Sequence, residues 1–326
     1  MQVESQNSGA FPPYQLLAEG YLREGERKSE KLIGIYRKTQ SHSWDGEKIL
    51  AELIEKHGPI KIDRQKRVHL AELFSVLMWG ELAAWNIAAD LALELNDVDA
   101  KMAATGQVFD EARHFHTLRS YLKYLDVEIP KLDAYTVILL RTLLEEKVIA
   151  HKILGMQLLV ENIASNLFRA ISELEVEPVL CDLLPYFVRD ESRHVGLGVT
   201  YLPRVVSDYG RFETFRFRMF EGKINILIGW AGRILLPHIE GLGIDYNALN
   251  RDTFRMYSNA LHELTKLPDG RPAKAIVAVT QQQAEEAIDL FIPLPGSELP
   301  AWRKNIIDRL DRAAQIGNRM LTWLVD

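Results

Sequence analysis

Cysteine is almost absent from this chain: Cys181 stands alone among 326 residues. A single cysteine excludes an intramolecular disulfide and a thiolate metal site. Charge of one sign is also scarce. The formal net charge of -6 comes from interspersed acids and bases, with no basic tract suited to nucleic acid and no acidic tail. Long uncharged apolar runs are missing too. The best candidate for a membrane span, "INILIGWAGRILLPHI", is interrupted by Arg233 and reads as a buried helix. The opening "MQVESQNSGAFPP" lacks the charged-then-apolar layout of a secretory signal. A cytoplasmic protein with no nucleic-acid or membrane partner is expected. Strand signals are the last scarcity.

What the chain has instead is helical period. Apolar residues recur every three to four positions through Leu16–Arg37, Asp63–Leu95, Asp99–Leu125, Ala134–Leu174 and Glu177–Val206. Breaks fall where turns and caps are expected: Asn96-Asp97, Pro130, and Glu177-Pro178, whose proline fits a first helical turn. The fourth segment is long for one helix, and a crossover helix followed by a core helix, bent near Gly155, is the alternative. Residues 1–13 read as a loose arm. Accessory helices are expected over roughly 248–265, 273–291 and 301–324, joined by "LPDGRP" and "IPLPGSELP". The expectation is one all-α globular domain in three parts: an N-terminal arm and helices (1–62), a bundle (63–240) and C-terminal accessory helices (241–326).

Within the helical segments the chain writes one cluster twice. "DEARH" and "DESRH" place Glu111 with His114, and Glu191 with His194, three apart and so on one helix face. Glu81 precedes Glu111 by 30 residues, and Glu161 precedes Glu191 by the same interval. The whole pattern, Glu-x29-Glu-x2-His, recurs after 80 residues. Each early Glu and its later partner are equidistant from a turn, near residue 96 or near 176. In an antiparallel helix pair they therefore lie at one height, about 20 Å from the turn at 1.5 Å per residue. Two such pairs packed together gather four carboxylates and two imidazoles.

Four bare carboxylates cannot share an apolar interior, because desolvation and mutual repulsion would protonate or expel them. The contexts "LMWGELAAW" and "LLVENIAS" are strongly apolar. Two divalent cations balance four negative charges, and one neutral imidazole per cation completes an oxygen-rich set that suits iron or manganese. Glu81, Glu111, His114, Glu161, Glu191 and His194 are the candidate ligands. Asp110 with Arg113, and Asp190 with Arg193, are spaced to pair along their helices. A metal-bound histidine gives its other N–H to an acceptor, so Asp110 is expected to orient His194, and Asp190 His114, across the bundle.

On these residues the chain resembles the ferritin-like di-iron carboxylate superfamily. Within it the chain most resembles the catalytic hydroxylase subunit of bacterial multicomponent monooxygenases. Gly80 before Glu81, Gln107-Val108 before Asp110, and His116 after His114 add to the likeness, which spans roughly residues 70–200. The resemblance implies a ferritin-like four-helix bundle with additional N- and C-terminal helices. It also implies two Fe ions, or a mixed Mn/Fe pair, and an oxidase or monooxygenase acting with O2 on a small organic substrate. An electron-donating reductase or ferredoxin and a homodimeric assembly follow from the same likeness. Ser165-Asn166 stand where that family has Thr-Asn, so the resemblance gives Ser165 a part in proton delivery and makes Asn166 its polar neighbour. The chain departs in being much shorter than those subunits and in carrying serine for threonine.

Residues one turn from the ligands are the expected pocket: Leu77, Met78, Ala84, Trp85, Gln107, Gln157, Leu158, Phe187 and Val188. Their apolar character favours an apolar or aromatic substrate. An iron-handling ferroxidase and a radical-storing reductase subunit are the competing functions. The second needs a tyrosine within about one turn of a ligand, and none stands four before or after any of them. His42, His57, His69, His151, His238 and His262 have no matching partner and are expected at the surface or as caps.

Overall fold

A computed structural model describes residues 30–264, 275–276, 280–295 and 299–325. The expected loose arm, the start of the first helical segment and "LPDGRP" lie outside these. Among the described residues every regular element is helical. In chain order these are α1 (Glu30–Ser41), α2 (Gly46–His57), α3 (Arg64–Glu94), α4 (Val98–Tyr124), α5 (Ala134–Glu145) and α6 (Ile149–Lys152). They continue with α7 (Glu161–Glu173), α8 (Pro178–Val205), α9 (Arg211–Gly241), α10 (Tyr246–Leu264), α11 (Gln281–Phe291) and α12 (Ala301–Val325). Ile153–Val160, between α6 and α7, is π-helical.

The central pairs form for local reasons. Asp63 caps α3 by accepting from the amides of Gln65 and Lys66, and Asp97 caps α4 by accepting from Ala100. Glu177 caps α8 by accepting from Leu180, with Pro178 at the first position. Tyr121 of α4 donates to the same Glu177 carboxylate at 3.1 Å, which ties the α8 cap to the neighbouring hairpin. α3 packs on α4, and α7 on α8, as two helical hairpins. α1 and α2 lie across α4 and α8, α9 and α5 lie against α3, and α10 lies against α7 and α8. The buried apolar residues fall into two clusters, one around Ile87, Leu154 and Leu158 and the other around Phe74, Phe168 and Phe187.

The long fourth segment breaks earlier than Gly155. α5 ends at Glu145, and Glu146 turns the chain, its carboxylate accepting from the amides of Lys147 and Val148. No glycine or proline marks that break in the sequence. Gly155 serves a different need. A Cβ there would stand 2.3 Å from Leu143 Cδ2, so glycine lets α5 fold back onto the π-helical stretch. Such wide turns inside a helix collect at functional sites, and this one delivers the chain directly to Glu161.

Gly198 of α8 is the matching close approach. An added Cβ would lie 2.8 Å from Gln157 Cβ and 3.0 Å from Leu158 Cδ2. Gly198→Ala is expected to cost about 1–3 kcal/mol through overpacking, read as a lowered denaturation midpoint. An unchanged or raised midpoint would show that the π-helical stretch yields freely.

Among the described residues α3 is the one helix long and apolar enough to cross a membrane by length and composition. Sequence inspection points instead to the stretch that forms α9. The apolar character of α3 reflects its place in the core, where Leu70, Phe74, Met78, Ala84, Ile87 and Leu91 are buried.

Candidate metal centre

α3, α4, α7 and α8 each bring their ligands to the polar layer between the two apolar clusters. Two groups of four result: Glu81, Glu111, His114 and Glu191, and then Glu111, Glu161, Glu191 and His194. Within each group one donor atom per residue lies within 4.8 Å of the others, and all six residues are buried. Glu111 and Glu191 belong to both groups, so their carboxylates stand between two positions that each add one further glutamate and one histidine.

The imidazoles are aimed. His114 Nδ1 lies 3.1 Å from Glu191 and 3.4 Å from both Glu81 and Glu111. His194 Nδ1 lies 2.9 Å from Glu191 and 3.0 Å from Glu111. The opposite nitrogens face aspartates across the bundle: His114 Nε2 is 3.3 Å from Asp190, and His194 Nε2 is 3.4 Å from Asp110. An N–H given to aspartate there leaves each Nδ1 lone pair directed at the carboxylates, the tautomer a metal ligand needs.

The two aspartates sit in a buried ring of ion pairs. Arg113 contacts Asp110 on its own helix and Asp190 at 2.7 Å, while Arg193 reaches Asp110 at 2.7 Å and Asp190 at 2.8 Å. Burial opposes ionisation of both aspartates. Contacts from the histidines and Arg193 outweigh it and hold both carboxyls below the usual range. Trp44, in the turn between α1 and α2, donates its indole N–H to Asp190 at 2.7 Å, and the Arg113 guanidinium lies 4.8 Å from its ring centroid. Sequence inspection missed Trp44, because no spacing ties it to the repeated cluster.

Gln107 takes a different place from the pocket wall expected of it. Its amide donates to Glu111 and to Glu161, each at 2.9 Å, and Gln157 donates to its carbonyl at 3.4 Å. Gln107 orients the carboxylates, and Gln157 holds Gln107.

The electrostatics expose how unbalanced the cluster is. Burial, then the charge of Glu191, pushes Glu81 well above the ordinary carboxylate range, and the same two causes raise Glu161. Burial works upward on Glu111 and Glu191 as well, but the His194 charge and the histidine contacts pull both down. Burial would lower His114 and His194, yet their acidic partners hold both well above the usual imidazole value. Glu111 Oε2, Glu191 Oε1 and His114 Nδ1 remain buried without a hydrogen-bond partner. Convergent orphaned donors are costly unless something binds them, and four carboxylates with two imidazoles fit two divalent cations.

Of the other expected site residues, Asn166 is committed elsewhere. Its amide donates to Leu249 O at 2.9 Å and Thr253 Oγ1 at 2.8 Å, so it docks α10 on α7. Ser165 is buried on α7. A cavity of about 210 Å3 adjoins Glu81 and Glu161, walled by α3, α5, α7, α9 and α10. Leu77 and Ala84 line it. Met78, Trp85, Gln107, Gln157, Leu158, Phe187 and Val188 do not, nor does Ser165. The reason is which side of the centre is closed. Phe187 stacks on His114 with centroids 4.5 Å apart and Trp44 packs behind it, sealing the α4–α8 side and leaving the α3–α7 side open to the accessory helices. His116 meets Glu47 at 2.9 Å on the surface, away from the cluster. His151 is buried against Phe220, with ring centroids 4.4 Å apart, rather than exposed.

The fold defines the class: this is an all-α, ferritin-like helical bundle with added helices at both ends. No protein-family model matches the chain, and no curated protein matches it. Among solved structures it is similar to R2-like ligand-binding oxidases. One variant with an aerobically reconstituted Mn/Fe cofactor aligns at 14% identity and a TM-score of 0.58, covering 83% of this chain and 100% of that one. A variant with an aerobically reconstituted Fe/Fe cofactor aligns with the same values. A third, with a Mn/Fe cofactor after a long soak, aligns at 15% identity and a TM-score of 0.55 over 76% of this chain and 93% of that one. The likeness to monooxygenase hydroxylase subunits rests on the motif residues alone.

Proposed function

We propose that this protein is an O2-dependent oxidoreductase, an oxidase or monooxygenase, built on a di-iron or manganese–iron pair. The observation that carries it is the convergence of six buried ligand residues in two overlapping groups of four, with one atom each of Glu111, Glu191 and His114 left without a hydrogen-bond partner. The solved structures of similar fold hold Mn/Fe or Fe/Fe cofactors. Glu111 and Glu191 would be shared between the two ions. Glu81 and His114 would complete one position, and Glu161 and His194 the other. Bound there, the pair supplies the electrons that reduce O2.

The rest of the work belongs to the chain. Asp190 and Asp110 hold the imidazole N–H groups and so fix which nitrogen faces the ions. Gln107 fixes Glu111 and Glu161. Phe187 and Trp44 exclude water from the α4–α8 side. The cavity beside Glu81 and Glu161 receives an organic molecule, and its largely apolar wall favours an apolar one. That cavity favours substrate oxidation over iron storage, which needs no organic pocket.

The test is metal analysis of the purified protein, then anaerobic Fe(II) loading and exposure to O2. About two transition-metal ions per chain and O2 consumption dependent on them are expected. A protein that neither carries nor takes up metal, or that holds iron but consumes no O2 with any reductant, would end this assignment.

A further inference from the structure

The cavity is selective in a way its apolar wall alone does not explain. Its lining among the described residues contains no lysine, arginine or histidine. The charged groups it does contain are the carboxyls of Glu81 and Glu161. In the metal-free protein an organic anion entering would therefore shed its hydration with no cationic side chain in the lining to receive it, an expensive transfer.

Four other lining residues carry polar side chains, and two of them are already committed. Thr136 gives its hydroxyl to Asp133. Thr253 donates to Leu249 O and accepts from Asn166. Tyr246 and Asn250, one turn apart on α10, are different. Both line the cavity and each can donate and accept: an amide has two donor hydrogens and two acceptor lone pairs, and a phenol both donates and accepts. The Tyr246 hydroxyl reaches α9 at the cavity wall, 2.7 Å from where a Cβ on Gly232 would stand. Size narrows the choice further. An apolar cavity of roughly 150 Å3 accepts benzene, and this one measures about 210 Å3.

We propose that this cavity binds an uncharged molecule about as large as one substituted ring, whose single hydroxyl, amine or amide group is held by Tyr246 and Asn250. The assignment rests on the oxidase reading only for its consequence, since the bound molecule then lies in the cavity that Glu81 and Glu161 line. Tyr246 and Asn250 act as specificity-determining residues, supplied by a helix outside the four that carry the ligands. Gly229 of α9 also lines the cavity, and a Cβ there meets nothing within 4 Å. A side chain can therefore start at this exposed edge of the cavity without its Cβ displacing a neighbour.

Calorimetric titration of the full-length protein, metal-free and metal-loaded, with benzyl alcohol, toluene and benzoate tests this. Benzyl alcohol is expected to bind at least about tenfold more tightly than toluene in both forms, and at least about tenfold more tightly than benzoate in the metal-free form, because bound cations would themselves draw a carboxylate. Tyr246→Phe combined with Asn250→Leu should erase the advantage of the alcohol over toluene while leaving toluene binding in place. Gly229→Phe should weaken both by tenfold or more with metal content unchanged. Benzoate binding as tightly as the alcohol in the metal-free form would overturn the proposal, as would indifference to the α10 substitutions. The two readings fail separately. Selective alcohol binding by a protein that takes up no metal would sink the oxidase alone, whereas O2 consumption without alcohol selectivity would sink the cavity assignment alone.

Discussion

Glu111→Ala and Glu191→Ala are each expected to reduce bound metal from about two ions per chain to nearly none, while Glu81→Ala and Glu161→Ala each leave about one. The difference follows from membership. Glu111 and Glu191 supply donors to both groups of four, and Glu81 and Glu161 to one each. Removing a shared carboxylate takes a negative donor from both positions and leaves each with too little charge to offset the cost of stripping water from a divalent ion. Removing an unshared one spares the other position. Elemental analysis after Fe(II) loading reads the outcome directly, with far-UV circular dichroism confirming the helical fold. Equal losses for all four variants would mean that the two positions do not share ligands as the geometry indicates.

Arg113→Met should destabilise the protein by about 3–5 kcal/mol, the usual result of leaving a buried charge without its partner. That corresponds to roughly 4–7 °C in the denaturation midpoint. Arg113 and Arg193 together neutralise Asp110 and Asp190, and all four side chains are almost fully buried. With one guanidinium gone, the two carboxylates keep one buried cation, Arg193, and the partly exposed Arg189, 3.5 Å from Asp190. The double variant Arg113→Met with Asp110→Asn restores balance, because Arg193 still pairs with Asp190 at 2.8 Å. Its loss should be smaller than the sum of the two single losses. Strict additivity in chemical denaturation would show that the four groups act independently. Methionine keeps the length and apolar body of the arginine stem, so lost packing contributes little.

The ligand helices were legible in the sequence because two unrelated signals coincide there. Apolar period marked α3, α4 and α8 to within one or two residues, and the repeated Glu-x29-Glu-x2-His pattern placed the chemistry on their facing sides. The cross-bundle partnership of Asp110 with His194 and Asp190 with His114 was also foreseeable, since a helix cannot turn Asp110 toward its own His114. Less legible were contacts made by elements with no pattern of their own. Trp44 reaches Asp190 from a turn 146 residues away in sequence. The break at Glu146 is made by a side chain accepting two amides, chemistry that any glutamate in a helical run conceals. The cavity was misplaced because proximity to a ligand along a helix says nothing about which side a neighbouring helix covers. Phe187 is one turn from Glu191 and closes the site, while Tyr246 is 55 positions beyond Glu191 and faces the cavity.

The cross-bundle aspartates carry a consequence for folding order. Each helical hairpin, α3–α4 or α7–α8, forms from contacts close in sequence, yet neither contains a complete ligand set or the acceptor for its own histidine. His114 waits for Asp190, and His194 for Asp110, 76 and 84 positions away. Closure of loops that long is a slow, late event. The six-residue site therefore comes into being only when the two halves dock. An early metal ion has no finished half-site to trap it, and a fragment released at the α4–α5 junction carries half the ligands and neither finished position.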